Sequence, residues 1–155
     1  MPLIREKLDV YNPAIQDIPL ISRGMETVEE NLINIVKDSD SFIQDKLVGL
    51  FESGKRLRPK LVLLSGLCFS PVNDDMIFSA VAAELIHTAS LVHDDIIDRA
   101  DYRRNKPTIN YTCGNHVAVL AGDYLFAKAF EILSKKSLRS MEYLVIAIQE
   151  MCSGE

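Results

Sequence analysis

The sequence predicts an all-α protein, a bundle of helices surrounding a central cavity. Apolar residues recur at three- and four-residue spacing, strand signals are essentially missing, and turn formers fall between the periodic stretches. No internal repeat or low-complexity tract interrupts the pattern. With 155 residues, 48% hydrophobic and 25% charged, residues 1–155 are expected to form a single domain with one core.

The elements follow in order. The arm up to about Pro19 is punctuated by Pro13 and Pro19 and is expected to be irregular or partly helical. A helix from about Leu20 to Lys37 carries Val28, Leu32, Ile35 and Val36 at helical spacing, and Asp38-Ser39-Asp40-Ser41 ends it. A second runs from about Ser41 to Glu52 and a third from Arg58 to Phe69. Pro59 suits the first turn of that third helix, where its missing N–H would have had no partner. A long helix spans Asp74 to Ala100. Residues Asp101 to Gly114 read as a loop marked by Pro107 and Gly114. Asn115 could cap a helix to about Lys135 with Leu120, Tyr124 and Ala127 on one face, and the last helix covers Leu138 to Met151.

The chemistry concentrates at the end of the long helix, in Leu91-Val92-His93-Asp94-Asp95-Ile96-Ile97-Asp98-Arg99-Ala100-Asp101-Tyr102-Arg103-Arg104. On a wheel of about 100° per residue, His87, Asp94, Asp98 and Asp101 fall in a stripe of roughly 60°, with Asp95 about 80–100° off it. Leu85, Val92 and Ile96 lie opposite, as core candidates. A solvated acidic helix end is the plain alternative, but these acids interrupt an apolar run, where unpaired carboxylates are costly. An oxygen-rich face of this kind suits Mg²⁺, which keeps several waters and binds substrate phosphates alongside one or two carboxylates. Asp94 and Asp98 are therefore the candidate metal ligands and Asp95 an assisting one. His93 lies off the stripe and reads as structural.

Upstream, Gly54-Lys55-Arg56-Leu57-Arg58-Pro59 places three cations in four residues before an apolar run, with Gly54 loosening the backbone. A basic surface turn is the simpler reading. Arginine forks, a mobile lysine and a helix N-terminus would together suit a diphosphate. Asp123 interrupts an otherwise apolar helix and reads as a pairing or capping residue without chemistry.

These stretches carry a resemblance. Gly54 to Pro59, then Glu84-Leu85-Ile86-His87-Thr88-Ala89-Ser90-Leu91-Val92-His93-Asp94-Asp95-Ile96-Ile97-Asp98, then Arg103-Arg104-Asn105-Lys106-Pro107-Thr108 and Ala121-Gly122-Asp123-Tyr124-Leu125, resemble the trans-isoprenyl diphosphate synthases, the polyprenyl synthetase family. The resemblance covers nearly the whole chain but only about the N-terminal half of a family member, so an isoprenoid synthase-like bundle is expected in that portion.

The resemblance implies head-to-tail prenyl transfer, in which an allylic diphosphate ionises and isopentenyl diphosphate attacks the resulting cation. It implies Mg²⁺ on Asp94 and Asp98 with Asp95 assisting, and Arg103 on the allylic diphosphate. Lys55, Arg58, His87 and Arg104 would hold isopentenyl diphosphate. The small Ala89 and Ser90, where bulky residues stop chain growth, imply an open channel and a product longer than farnesyl. A homo-oligomer or hetero-oligomer is expected.

Two departures stand out. Asn105 replaces a usual glycine, and asparagine tolerates a left-handed backbone. No second aspartate-rich cluster follows Asp98, so the polypeptide alone is expected to be weak or inactive. Two other readings stay open: a noncatalytic or complementing subunit of a split synthase, and a class I terpene cyclase, although Lys55, Arg58 and Arg104 point to a second diphosphate that a cyclase does not need.

Net charge −5 and pI near 5.2 argue against a nucleic-acid partner. Cys68, Cys113 and Cys152 are odd in number and lack metal-ligand spacing, so reduced thiols and a cytoplasmic setting are expected. Arg5, Glu6 and Lys7 break any signal peptide, and no run reads as long and apolar enough to span a bilayer.

Overall fold

The computed structural model describes residues 19–51 and 54–154, so the expected N-terminal arm lies outside the described residues. Within them the chain forms seven helices and one short hairpin: α1 (Pro19–Lys37), α2 (Ser41–Phe51), α3 (Leu57–Leu67), α4 (Asp74–Ile97), β1 (Tyr102–Arg103), β2 (Lys106–Pro107), α5 (Ile109–Cys113), α6 (Asn115–Lys136) and α7 (Leu138–Ser153).

In α1, Ile21, Val28, Leu32 and Val36 form a buried stripe at seven- and four-residue spacing. The helix stops at the polar break expected of it, where the Ser39 hydroxyl donates to Val36 O at 2.6 Å. Asp40 then opens α2 by accepting the Phe42 N–H at 3.0 Å. Pro59 does sit in the first turn of α3 and is buried there with Leu63.

Helix α4 is the axis of the bundle and packs most extensively on α6, then on α3 and α1. Asn73 caps it, accepting the Met76 N–H at 3.1 Å, and Asp74 and Asp75 follow in the first turn, where the helix dipole favours them. By length and composition α4 is long and apolar enough to cross a membrane, which corrects the sequence expectation; 56% of that apolar window is buried by the neighbouring helices. A helix surrounded by others loses its polar face, which is why its sequence reads as apolar all round.

The expected continuation to Ala100 fails because Arg99 turns left-handed (φ 52°), ending the helix at Ile97. What was expected to be a loop from Asp101 to Gly114 contains a hairpin, with Tyr102 opposite Pro107 and Arg103 opposite Lys106, and the one-turn α5. Two-residue strands are too short to show alternation. Arg104 and Asn105 occupy the turn with φ of 51° and 62°, so asparagine sits in the conformation foreseen for it.

Gly114, not Asn115, precedes α6, which has no side-chain cap. Its buried face is Ala118, Ala121, Gly122, Leu125, Ala129 and Leu133, whereas the expected stripe turns outward, with Leu120 and Ala127 exposed and Tyr124 half-buried. Small residues face α4 because the two helices approach closely. Helix α7 begins at Ser137, which accepts the Ser140 N–H at 3.2 Å, and none of its residues is buried.

Candidate functional site

A cavity of about 1080 Å³ opens between the turn before α3, one face of α4 and the hairpin. The turn contributes Lys55 and Arg58, α4 contributes His87 and Asp95, and the hairpin contributes Arg103 and Arg104. Residues separated by up to 49 positions in sequence thus converge as one cationic wall. Lys55, Arg58 and Arg104 make no salt bridge among the described residues and face the cavity with their charge uncompensated. Leu57, the first residue of α3, also lines it, so an uncapped helix N-terminus adds positive field at the same place.

Arg56 departs from the sequence reading. It is not a third cation of the grip: its Nε donates to Glu29 Oε1 at 2.6 Å, Nη1 to Glu84 Oε1 at 3.2 Å and Nη2 to Phe51 O at 2.6 Å. Gly54 has a corresponding role. Instead of loosening the backbone it leaves space, since an added Cβ would stand 2.7 Å from Arg56 Nη1. Glu84 and Glu29 escaped the sequence reading. The signal was present for Glu84, a lone acid in the apolar run Ala80 to Ile86, because an acid so placed is seldom buried without a partner.

Asp95 likewise differs from its expected part. It is buried, and Oδ1 accepts from Arg103 Nε at 2.8 Å. The hairpin is held over the end of α4 by this pair, by Thr108 Oγ1 donating to Ala100 O at 2.8 Å, and by Asn110 Nδ2 donating to Asp95 O and Ala100 O at 3.2 and 3.1 Å. Asn110, also missed, adds a second donor to each of two carbonyls, since Asp95 O already accepts the Ala100 N–H at 2.9 Å and Ala100 O the Thr108 hydroxyl.

Asp94 is half-buried and Asp98 exposed, one turn apart; neither lines the cationic cavity, and neither has a side-chain partner among the described residues. Among the described residues no three His, Cys, Asp or Glu side chains converge on one point. Two carboxylates one turn apart, with no side-chain partner among the described residues, are nonetheless a donor set that Mg²⁺ takes when water and substrate phosphate complete its shell. The residues present therefore fit that ion through Asp94 and Asp98, with Asp95 committed to Arg103.

His87 faces the cavity. Burial, then the cations Arg58, Arg104 and Arg103, push its pKa below the ordinary histidine value, with Asp94 opposing. His93 does not line the cavity: its Nε2 lies 3.4 Å from Val119 O and 3.6 Å from Oδ1 of the exposed Asp123, and its ring is tilted against Phe126 with centroids 5.7 Å apart. Ala89 is fully buried in the core and Ser90 donates to His87 O at 2.9 Å; neither lines the cavity.

A family model described as polyprenyl synthetase matches residues 41–155, and the chain belongs to that family. It is 37% identical over 136 residues to the short chain isoprenyl diphosphate synthase of Methanocaldococcus jannaschii, covering 84% of this chain and 42% of that one. It is 40% identical over 137 residues to heptaprenyl diphosphate synthase component 2 of Geobacillus stearothermophilus, covering 87% and 43%. The crystal structure of a decaprenyl diphosphate synthase from Rhodobacter capsulatus superposes with a TM-score of 0.85 at 31% identity, covering 92% of this chain and 44% of that one. The fold is that of the isoprenyl diphosphate synthases, and the chain spans less than half the length of these relatives.

Proposed function

We propose that this chain carries the isopentenyl diphosphate grip and one carboxylate wall of a trans-prenyltransferase that lengthens an allylic diphosphate. The observation that carries the reading is the cavity in which Lys55, Arg58, His87 and Arg104 meet. A diphosphate there would find two arginine forks, a point charge and the free N–H groups of α3. Burial and the neighbouring arginines lower the pKa of His87, which favours the neutral ring, able to donate one hydrogen bond.

Arg103 is assigned to the allylic diphosphate. With Nε fixed on Asp95, its outer nitrogens are the ones left to follow the charge that builds on the departing diphosphate. Groups set in place beforehand lower such a barrier most, because nothing must reorganise as the charge develops. Mg²⁺ held by Asp94 and Asp98 would supply further positive charge to the same leaving group.

Two carboxylates are few for a site that manages a leaving diphosphate, and the chain covers only 42–43% of the synthases from M. jannaschii and G. stearothermophilus. We therefore propose that the 155-residue chain turns over weakly by itself and recovers activity with a complementary polypeptide. Three smaller parts of the reading go further: an oligomeric state, homo- or hetero-, and control of product length by Ala89 and Ser90, which follow the family resemblance, and a cytoplasmic setting, which follows from three cysteines without metal-ligand spacing.

Calorimetric titration with isopentenyl diphosphate tests the grip. Wild type is expected to bind, and Lys55→Ala, Arg58→Ala and Arg104→Ala to weaken binding by about tenfold each, as loss of a charge-assisted contact would. Equal affinity across the series would sink the assignment. Turnover of allylic plus isopentenyl diphosphate, with and without a candidate partner, tests the rest, and a cyclised product from one substrate would favour a cyclase.

A further inference from the structure

We propose that Arg56 is a positioning residue for the diphosphate grip, buttressed by Glu29 and Glu84 and given room by Gly54. The inference rests on the reading of Lys55 and Arg58 as diphosphate ligands. One guanidinium ties three elements together: α1 through Glu29, the end of α2 through Phe51 O, and α4 through the buried Glu84. Its own backbone is left-handed, φ 48° and ψ 39°, which a side chain with a Cβ adopts only where its surroundings impose it.

That reversal has a direct effect on the neighbours. Arg56 O accepts the Lys60 N–H at 3.1 Å and so opens α3, yet the Arg56 side chain does not cap the helix. Lys55, just before the reversal, and Arg58, just after it, thereby reach the same cavity.

Charge points the same way. Arg56 is flanked by two carboxylates, which leaves a net negative charge in a cavity lined by Arg56 and Glu84 together with Lys55, Arg58 and Arg104. The carboxylates hold the turn and offset repulsion among cations that make no salt bridge among the described residues. Gly54 completes the device, since a methyl group there would strike Arg56 Nη1.

Trypsin provides a test that does not depend on ligand, because Lys55 and Arg56 are cleavage sites within the turn. In the full 155-residue chain, Glu84→Gln and Gly54→Ala are expected to speed cleavage after Lys55 and Arg56 by about tenfold while leaving cleavage after Lys135 and Lys136 unchanged. Both should also weaken isopentenyl diphosphate binding by about tenfold, as loss of an orienting partner does elsewhere. Gly54→Ala keeps every charge and lies on an exposed turn, so it remains informative if Glu84→Gln fails to fold.

Unchanged cleavage at the turn would overturn the proposal, as would a uniform acceleration at all sites, which reports general destabilisation. Faster cleavage with undiminished affinity, while Lys55→Ala binds weakly, would also overturn it. If Lys55→Ala itself binds like wild type, the diphosphate reading is what fails, and the cleavage pattern still decides whether Arg56 sets the turn.

Discussion

Arg103 Nε donates to Asp95 Oδ1 across 2.8 Å, tying the first strand of the hairpin to the last buried carboxylate of α4. Asp95 is almost enclosed, while the arginine keeps about a third of its surface in water. Arg103→Ala strands the carboxylate and is expected to cost about 1–2 kcal/mol in urea unfolding, below the cost of breaking a fully buried pair. Adding Asp95→Asn should recover part of that loss. Strictly additive effects in the double-mutant cycle would show that the two residues are not coupled.

Gly122 lets α4 and α6 approach at His93. A Cβ at Gly122 would stand 2.2 Å from His93 Nε2, so Gly122→Ala must displace the ring and is expected to cost about 1–3 kcal/mol. Shortening the neighbour removes the obstacle, and Gly122→Ala should be far less harmful in a His93→Ala background. Thermal unfolding of the four proteins reads this directly, and an equal penalty in both backgrounds contradicts it.

Thr108 is buried between hairpin and helix, with its hydroxyl donating to Ala100 O at 2.8 Å and accepting the Tyr111 N–H at 3.4 Å. Thr108→Val keeps the shape and removes both bonds. A loss of about 1–2 kcal/mol is expected, as for other caps. The same change should loosen the arginine hairpin, visible as faster trypsin cleavage after Arg103 and Arg104.

His87 gives the protein an acid-side sensitivity. Burial and the nearby arginines lower its folded pKa beneath 6.5, so below that pH the unfolded chain takes up a proton first. The stability this histidine contributes is complete above pH 6.5 and is lost as pH falls toward the folded value. Urea unfolding at pH 7.5 and 5.5 should show a steeper decline for wild type than for His87→Gln. Parallel declines would remove His87 as the cause.

The helices were legible because their signals are local. Val28, Leu32 and Val36 declare a buried stripe, Pro59 marks a first turn and Asn105 fits a left-handed position. Lys55, Arg58 and Arg104, which make no salt bridge among the described residues, line one cavity together. The failures share one physical origin, namely partners distant in sequence. Arg56 resembles its neighbours until Glu29 and Glu84 arrive from 27 and 28 residues away, and Asp95 resembles Asp94 until the hairpin brings Arg103 back to it. The outward turn of Leu120 and Ala127 could not be read either, since small residues next to α4 set the rotation of α6 more strongly than large ones facing outward.

Helix α7 touches the rest of the bundle through Met141, Leu144 and Ile148 without burying any of its own residues. Little apolar area is released when it lifts away, so its opening free energy lies far beneath that of the α4–α6 pair. Its backbone amides should therefore take up deuterium while those of α4 remain protected, giving the molecule a loosely fastened edge and a stiff spine.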